Sequence, residues 1–341
     1  MSTSALQQLP AGILKSLSRL CGLSPSYNKA TLAANLSNAI SFFLTPARGT
    51  TTASSISPSR VLSIDMGLRN FSYSVLDLST QYTVPPLLSA WCVTDILQQA
   101  SIPLEDSSEQ GSSRFSSALA ADLAYSVFAE SILPKYNPDV IILEQQRLRS
   151  GGGSNVIEWT LRINMFESAL HGVLVALRKQ GKSTARVYDV LPGRTKGYWI
   201  RPTPSTVCDE EKVIRTSKKS NSSTYAMSKA VKVDLVKRWT ENVSFEKPDA
   251  CRHVVFSQDT IPLAQQFHSR RSRQLSSLPQ STTLPRNFKL DDLSDSLLQG
   301  VAYIEWQQHQ FALASALKAG ADLTAFHEEL NAKHEKAMLS V

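Results

Sequence analysis

The first 45 residues and the rest of the chain carry different hydrophobic rhythms. Over residues 5–20 the apolar positions Leu6, Leu9, Ile13, Leu14, Leu17 and Leu20 recur at close to helical spacing, which predicts a helix. The turn Cys21-Gly22-Leu23-Ser24-Pro25-Ser26 interrupts it, and Leu32, Leu36 and Ile40 take up the same period in a second helix. From residue 60 the period shortens. Arg60–Asp65 is an apolar strand ending on a carboxylate, Gly67–Asn70 is a turn, and Phe71–Leu76 alternates with period two, as an antiparallel partner does. A third strand follows over Leu87–Val93 and a helix over 115–133. Asp139–Glu144 is a continuous apolar run, the pattern of a strand buried on both faces.

Beyond the Gly151-Gly152-Gly153 loop, helical periods cover 155–180 and 226–241, with a strand at Arg186–Val190 between them. Residues 266–287 read as a basic, Ser-rich loop, and helices over 291–314 and 318–338 close the chain. Three hairpin-connected strands followed by alternating helix and strand predict an α/β domain with a mixed sheet flanked by helices. Its functional residues belong where the carboxyl ends of the central strands meet a late helix. The expected organisation is a small helical unit at 1–45, a Ser/Thr-rich linker at 46–59, the α/β domain at 60–316 and a C-terminal helix at 317–341.

Composition narrows this reading. Of 341 residues, 42% are hydrophobic, enough for a full core, which excludes a wholly disordered or fibrous chain. No run of 18 or more apolar residues exists, so no membrane association is expected. Cys21, Cys92, Cys208 and Cys251 form no CxxC pair, which argues against a disulfide framework or a zinc site and fits a reducing compartment. The net charge of +7 is concentrated. Residues 1–64 hold five bases and no acid, 260–290 again five bases and no acid, and 201–240 nine bases against four acids. Basic segments on an otherwise acidic body suggest a polyanionic partner.

The acids carry the candidate chemistry. Asp65 and Glu144 each follow an apolar run, where a carboxylate is costly unless it is paired or binds a cation. In Leu290–Leu298, Asp292 and Asp295 stand at i, i+3 and Asp291 and Asp295 at i, i+4, so either pair lies on one helix face, beside Leu293, Leu297 and Leu298. Taken singly, each acid is more simply a helix cap or a salt-bridge partner. Together they form an all-oxygen donor set that favours Mg²⁺, with Mn²⁺ able to substitute, over zinc. Two such ions about 4 Å apart would support phosphodiester hydrolysis.

Other reaction classes lack their signatures. Gly181-Lys182-Ser183 resembles the end of a P-loop, but the first glycine that the motif needs is missing. No Asp-x-Gly-Gly phosphate loop of the actin and sugar-kinase type occurs, so no nucleotide cofactor is expected. No HExxH or GxSxG pattern exists.

The motifs IDMGLRN (64–70), ILEQQRLRSGGGSN (142–155) and DDLSDSLL (291–298) resemble those of the fungal mitochondrial Holliday junction resolvases, relatives of bacterial RuvC with the RNase H-like fold. The resemblance covers roughly 60–310. Residues 1–40 resemble the SAP motif, a helix–turn–helix element that binds DNA, through Leu14, Leu17, Leu20, Gly22, Leu23, Asn28, Lys29, Leu32 and Leu36. The same Ser-rich, acid-free stretch also fits a mitochondrial transit segment.

The resemblance implies a metal-dependent endonuclease that resolves four-way DNA junctions by paired symmetric nicks, leaving 5′-phosphate and 3′-hydroxyl ends. It also implies a homodimer with the 155–180 helix at its interface. Asp65, Glu144 and Asp295 become metal ligands, with Asp292 or Asp291 as the fourth; RuvC-like spacing favours Asp292 and an i, i+4 pair favours Asp291. Arg147 and Arg149 follow Glu144 closely enough to fork onto phosphate oxygens beside it. Lys29 and the loop arginines Arg270, Arg271 and Arg273 are further expected DNA contacts. A catalytically inactive junction-binding protein is the alternative.

Overall fold

The computed structural model describes residues 2–44, 59–79, 84–99, 115–146, 158–200, 220–249, 251, 253–269 and 289–339. The chain begins with three helices, α1 (Ser2–Gln8), α2 (Ala11–Leu20) and α3 (Lys29–Leu44). Where the apolar period predicts one helix over 5–20, two are found. Pro10 divides them: it has no N–H for the helical ladder and disfavours helical backbone at Leu9, and it adopts an extended ψ of 147°. α2 closes in a left-handed turn. Gly22 takes φ +73°, and the Leu23 N–H donates to the Ser18 carbonyl at 2.7 Å. A Cβ at Gly22 would lie 2.4 Å from the Trp306 ring, so the contact requires glycine. The Asn28 side-chain oxygen accepts the Thr31 N–H at 2.9 Å and starts α3.

β1 (Arg60–Asp65), β2 (Phe71–Asp77) and β3 (Leu87–Thr94) form an antiparallel meander. The short α4 (Ile96–Gln99) follows. The helix expected over 115–133 runs as α5 (Ser117–Ala124), a π-helical stretch (Tyr125–Ile132) and α6 (Leu133–Tyr136). β4 (Val140–Glu144) lies parallel to β1, and after α7 (Glu158–Lys179) β5 (Arg186–Val190) lies parallel to β4. Then come α8 (Pro192–Trp199), α9 (Ser220–Trp239), β6 (Val255–Phe256), α10 (Ile261–Ser269), α11 (Leu290–Lys318) and α12 (Leu323–Leu339). The sheet order is β5-β4-β1-β2-β3-β6, the mixed, RNase H-like arrangement the sequence predicts. β6, α8 and α10 are additions; β6 spans two residues, too short to register as a period.

Helices cover both faces of the sheet. In β4, Val140 and Ile142 face a core shared with α8–α12 and α1–α3, whereas Ile141 and Leu143 face a second core against α5 and α7. The continuous apolar run of β4 is therefore buried on both sides. The N-terminal helices share the first of these cores. Leu14, Leu17, Leu32, Leu36 and Ile40 are fully buried there with Trp306 and Leu313, each worth roughly 1.5–3 kcal/mol of burial. Cys21 and Cys92 are free thiols, and among the described residues no helix is long and apolar enough to cross a membrane.

Candidate metal centre

Register brings the first two acids together. Ile64 of β1 pairs with Leu143 of β4, and because the strands are parallel the next residues, Asp65 and Glu144, fall side by side at the same end of the sheet. The third acid arrives on α11, which crosses the face of β1, β2 and β3. That face is lined with small polar residues, and they hold the helix by its carbonyls. Ser72 Oγ donates to the Asp292 carbonyl at 2.6 Å and Ser74 Oγ to the Ser296 carbonyl at 2.9 Å. Trp91 Nε1 donates to the Leu293 carbonyl at 3.0 Å and Trp199 Nε1 to the Leu298 carbonyl at 2.9 Å. In return, the Gln299 amide donates to the Ile64 carbonyl at 3.1 Å, one residue from Asp65. The approach is close: a Cβ at Gly300 would lie 2.6 Å from Leu76 Cδ1 and 3.0 Å from Ser63 Cβ.

As a result, one carboxylate oxygen each from Asp65, Glu144 and Asp295 lies within 4.8 Å of the other two. Desolvation, followed by the charges of Glu144, Asp295 and Asp292, pushes the Asp65 carboxyl well above the usual range. Asp292 is pushed up to about 7, by desolvation first and by Asp291 next. Its Oδ2 is buried without a hydrogen-bond partner among the described residues. Desolvation also raises Asp295, against the opposing effect of Lys232. Asp291 is ion-paired with Lys229, and Asp295 with Lys232.

This cluster suits a hard divalent cation. The donors are all carboxylate oxygens, they repel one another at this separation, and a buried carboxylate oxygen at Asp292 lacks a compensating donor among the described residues.

Of the residues singled out from the sequence, Asp65, Glu144 and Asp295 are brought together, and Asp292 is close enough to raise Asp65. Asp291 is turned to Lys229. Lys29 is exposed at the start of α3. Arg147, Arg149, Arg270, Arg271, Arg273 and the 46–58 part of the linker lie outside the described residues. Sequence reasoning missed Lys229 and Lys232, which it counted only within a basic segment. Their i, i+3 spacing on α9 matches the i, i+4 spacing of Asp291 and Asp295 on α11, a complementarity visible only once the two helices are known to pack. It also missed Glu167 on α7, which accepts the Gln146 N–H at 3.3 Å, two residues past Glu144. Burial raises its carboxyl despite that bond.

The sequence profile of a family described as mitochondrial resolvase Ydc2 / RNA splicing MRS1 matches residues 61–313, a span that starts inside β1 and ends inside α11. The chain belongs to this family. Among the relatives of this Ydc2/MRS1 member, the mitochondrial cruciform cutting endonuclease 1 of Schizosaccharomyces pombe is 33% identical over 145 residues. That match covers 41% of this chain and 53% of the relative, about half its length. The protein of the same name from Saccharomyces cerevisiae is 23% identical over 268 residues, covering 76% of this chain and 72% of that one. The crystal structure of the yeast mitochondrial Holliday junction resolvase Ydc2 superposes with a TM-score of 0.57 over 91% of this chain and 99% of that one. At 23% identity it supports the fold.

Proposed function

We propose that this Ydc2/MRS1 member is a mitochondrial, metal-dependent endonuclease that resolves four-way (Holliday) DNA junctions by paired symmetric nicks. The observation that carries the proposal is the convergence of Asp65, Glu144 and Asp295 from two neighbouring strands and one crossing helix. Asp65, Glu144, Asp295 and Asp292 are assigned as the residues that hold two Mg²⁺ ions, with Mn²⁺ as a substitute. Asp291, neutralised by Lys229, is assigned outside the ligand set. Held by these carboxylates, such ions would supply Lewis acidity toward water and the leaving oxygen, the chemistry that phosphodiester hydrolysis to 5′-phosphate and 3′-hydroxyl ends would need.

The protein's own groups orient the reaction. Ser72, Ser74 and Gln299 fix α11 on the sheet, and Lys232 holds the Asp295 carboxylate in one direction. Arg147 and Arg149 are assigned to phosphate oxygens of the strand beside Glu144. Lys29, Arg270, Arg271 and Arg273 are assigned to phosphates farther out. Two opposed nicks need two sites, which a homodimer with two-fold symmetry presents to a junction of matching symmetry.

One observation favours a second reading. The Lys232 ammonium already neutralises part of the acid cluster without an ion, as a non-catalytic junction-binding protein would require, and the family description names RNA splicing beside the resolvase.

The deciding experiment is incubation with a labelled four-way junction and Mg²⁺, with strand-specific product mapping and light scattering on the same preparation. Paired nicks by a species of twice the chain mass, lost in Asp65→Asn while junction binding persists, are expected. Tight junction binding with no cleavage in either Mg²⁺ or Mn²⁺ would establish the second reading instead, and near-normal cleavage by Asp65→Asn would overturn the ligand assignment.

A further inference from the structure

A groove of about 290 Å³ runs between the α2–α3 turn and α8. Arg19, Gly22 and Ser24 line one wall and Gly193, Arg194 and Gly197 the other, and among the described residues no lining residue is acidic. Each of the two arginines carries a planar guanidinium fork suited to phosphate oxygens. Among the described residues, the Arg194 Nε is buried without a hydrogen-bond partner. An N–H withdrawn from water and left without an acceptor is an unfavourable arrangement that an incoming anionic oxygen would relieve. Gly197 leaves its part of the wall bare, so a ligand backbone can approach closely; a Cβ there would meet nothing within 4 Å.

The position of the groove matters as much as its chemistry. Val190, the last residue of β5, pairs in register with Glu144, and its carbonyl accepts the Gln145 N–H at 2.9 Å. Leu191, the next residue, already lines the groove. The groove therefore begins at the end of the sheet that carries the carboxylates and leads toward the N-terminal hairpin. It is too small for a duplex and large enough for one phosphodiester linkage with its sugar.

We infer that this groove seats a backbone phosphate of the DNA substrate between Arg19 and Arg194, so that the N-terminal hairpin and the α/β body grip one strand together. The inference rests on DNA being the partner, as proposed above, and extends it to a site outside the acid cluster. Contact through phosphate makes the grip independent of sequence and positions the strand relative to the carboxylates.

The test is binding to a fluorescent four-way junction without divalent metal, at salt concentrations from about 50 to 200 mM. Arg194→Ala should weaken binding several-fold and lower the slope of log affinity against log salt by about one, the signature of one lost phosphate contact. Gly197→Asp places a carboxylate in the groove where the backbone leaves room, and should bind several-fold more weakly than its neutral isostere Gly197→Asn. An unchanged salt slope in an Arg194→Ala protein with an unaltered melting curve would overturn the inference. If Arg194→Ala fails to fold, the Asp and Asn variants decide alone, and equal binding by the two would overturn it. Cleavage by the unmodified protein in Mg²⁺, measured alongside, separates the two proposals. Cleavage with an unaffected salt slope refutes the groove, whereas absence of cleavage with the slope change intact refutes the nuclease reading and supports the groove.

Discussion

At Asp292, desolvation and the charge of Asp291 push the carboxyl up to about 7, and Oδ2 has no partner among the described residues; Asp291, one residue earlier, is ion-paired with Lys229. Asp292→Asn should therefore reduce single-turnover cleavage by orders of magnitude, while Asp291→Asn retains most of it. The reverse ranking would reassign the fourth ligand. A second carboxylate obeys different physics. Burial acts to raise Glu305, but the hydrogen bond and charge of His253 (Nδ1 to Oε1, 2.8 Å) and the bond from the Tyr198 hydroxyl at 2.5 Å outweigh it and hold the carboxyl at about 2. Its folded pKa thus lies below the unfolded value near 4.5, so the folded protein resists protonation. The stability this group contributes is fully present above about 4.5 and disappears as pH falls toward 2. Glu305→Gln should cost about 1.5–3 kcal/mol in urea unfolding at pH 6, from lost charge-assisted hydrogen bonds. The gap to the unmodified protein should narrow as pH drops through that window; parallel stability curves would show that Glu305 is not the titrating group.

α11 is the element on which the site depends. Its first half lies on a sheet face of serines, and Gly300 lets the backbone approach Leu76 and Ser63. Gly300→Ala adds one methyl where there is no room, which costs typically 1–3 kcal/mol of overpacking. The lowest-resistance response is for α11 to lift from the sheet, and Asp292 and Asp295 move with it. A misplacement of about 1 Å in a catalytic group costs on the order of a hundredfold in rate. Gly300→Ala is therefore expected to lower both the melting temperature and the saturated cleavage rate, though it touches neither metal nor DNA. A stability loss with an unchanged rate would show that the acids keep their positions when the helix shifts. The helices that sequence periodicity located were the long ones, α7, α9, α11 and α12, with ends as much as six residues out. It missed the Pro10 break because Leu6, Leu9 and Ile13 keep a helical period across a residue that has no N–H to continue the helical ladder.

Across the whole molecule, the N-terminal helices are tied to the far end of α11. His309 Nδ1 lies 2.8 Å from the Leu20 carbonyl, the Gln310 amide donates to the Cys21 carbonyl at 2.8 Å, and Lys318 Nζ donates to the Phe43 carbonyl at 2.7 Å. Deleting residues 1–55 would strip this cover from Trp306 and Leu313, so a truncated chain would report lost stability together with any lost DNA affinity. A point change separates the two. Lys29 is exposed, and Lys29→Ala should leave the melting curve in place, weaken junction binding and reduce its salt slope by about one. Binding identical to that of the unmodified protein at every salt concentration would remove Lys29 from the contact surface.

The sequence by itself determined the strands that end on Asp65 and Glu144, the helix that carries Asp292 and Asp295, and the all-carboxylate chemistry that these residues imply. Those features are local: period two or 3.6, an apolar run closed by an acid, and spacing along one helix face are set within about ten residues. Only the tertiary structure decided that β1 and β4 are neighbours in parallel register, and that Lys229 and Lys232 face Asp291 and Asp295. It also decided that the α2–α3 turn meets α8 around two arginines. Each of those pairings joins segments tens to hundreds of residues apart. They are chosen by how two cores fill on either side of one sheet, and the pattern along any single segment is equally compatible with many such choices.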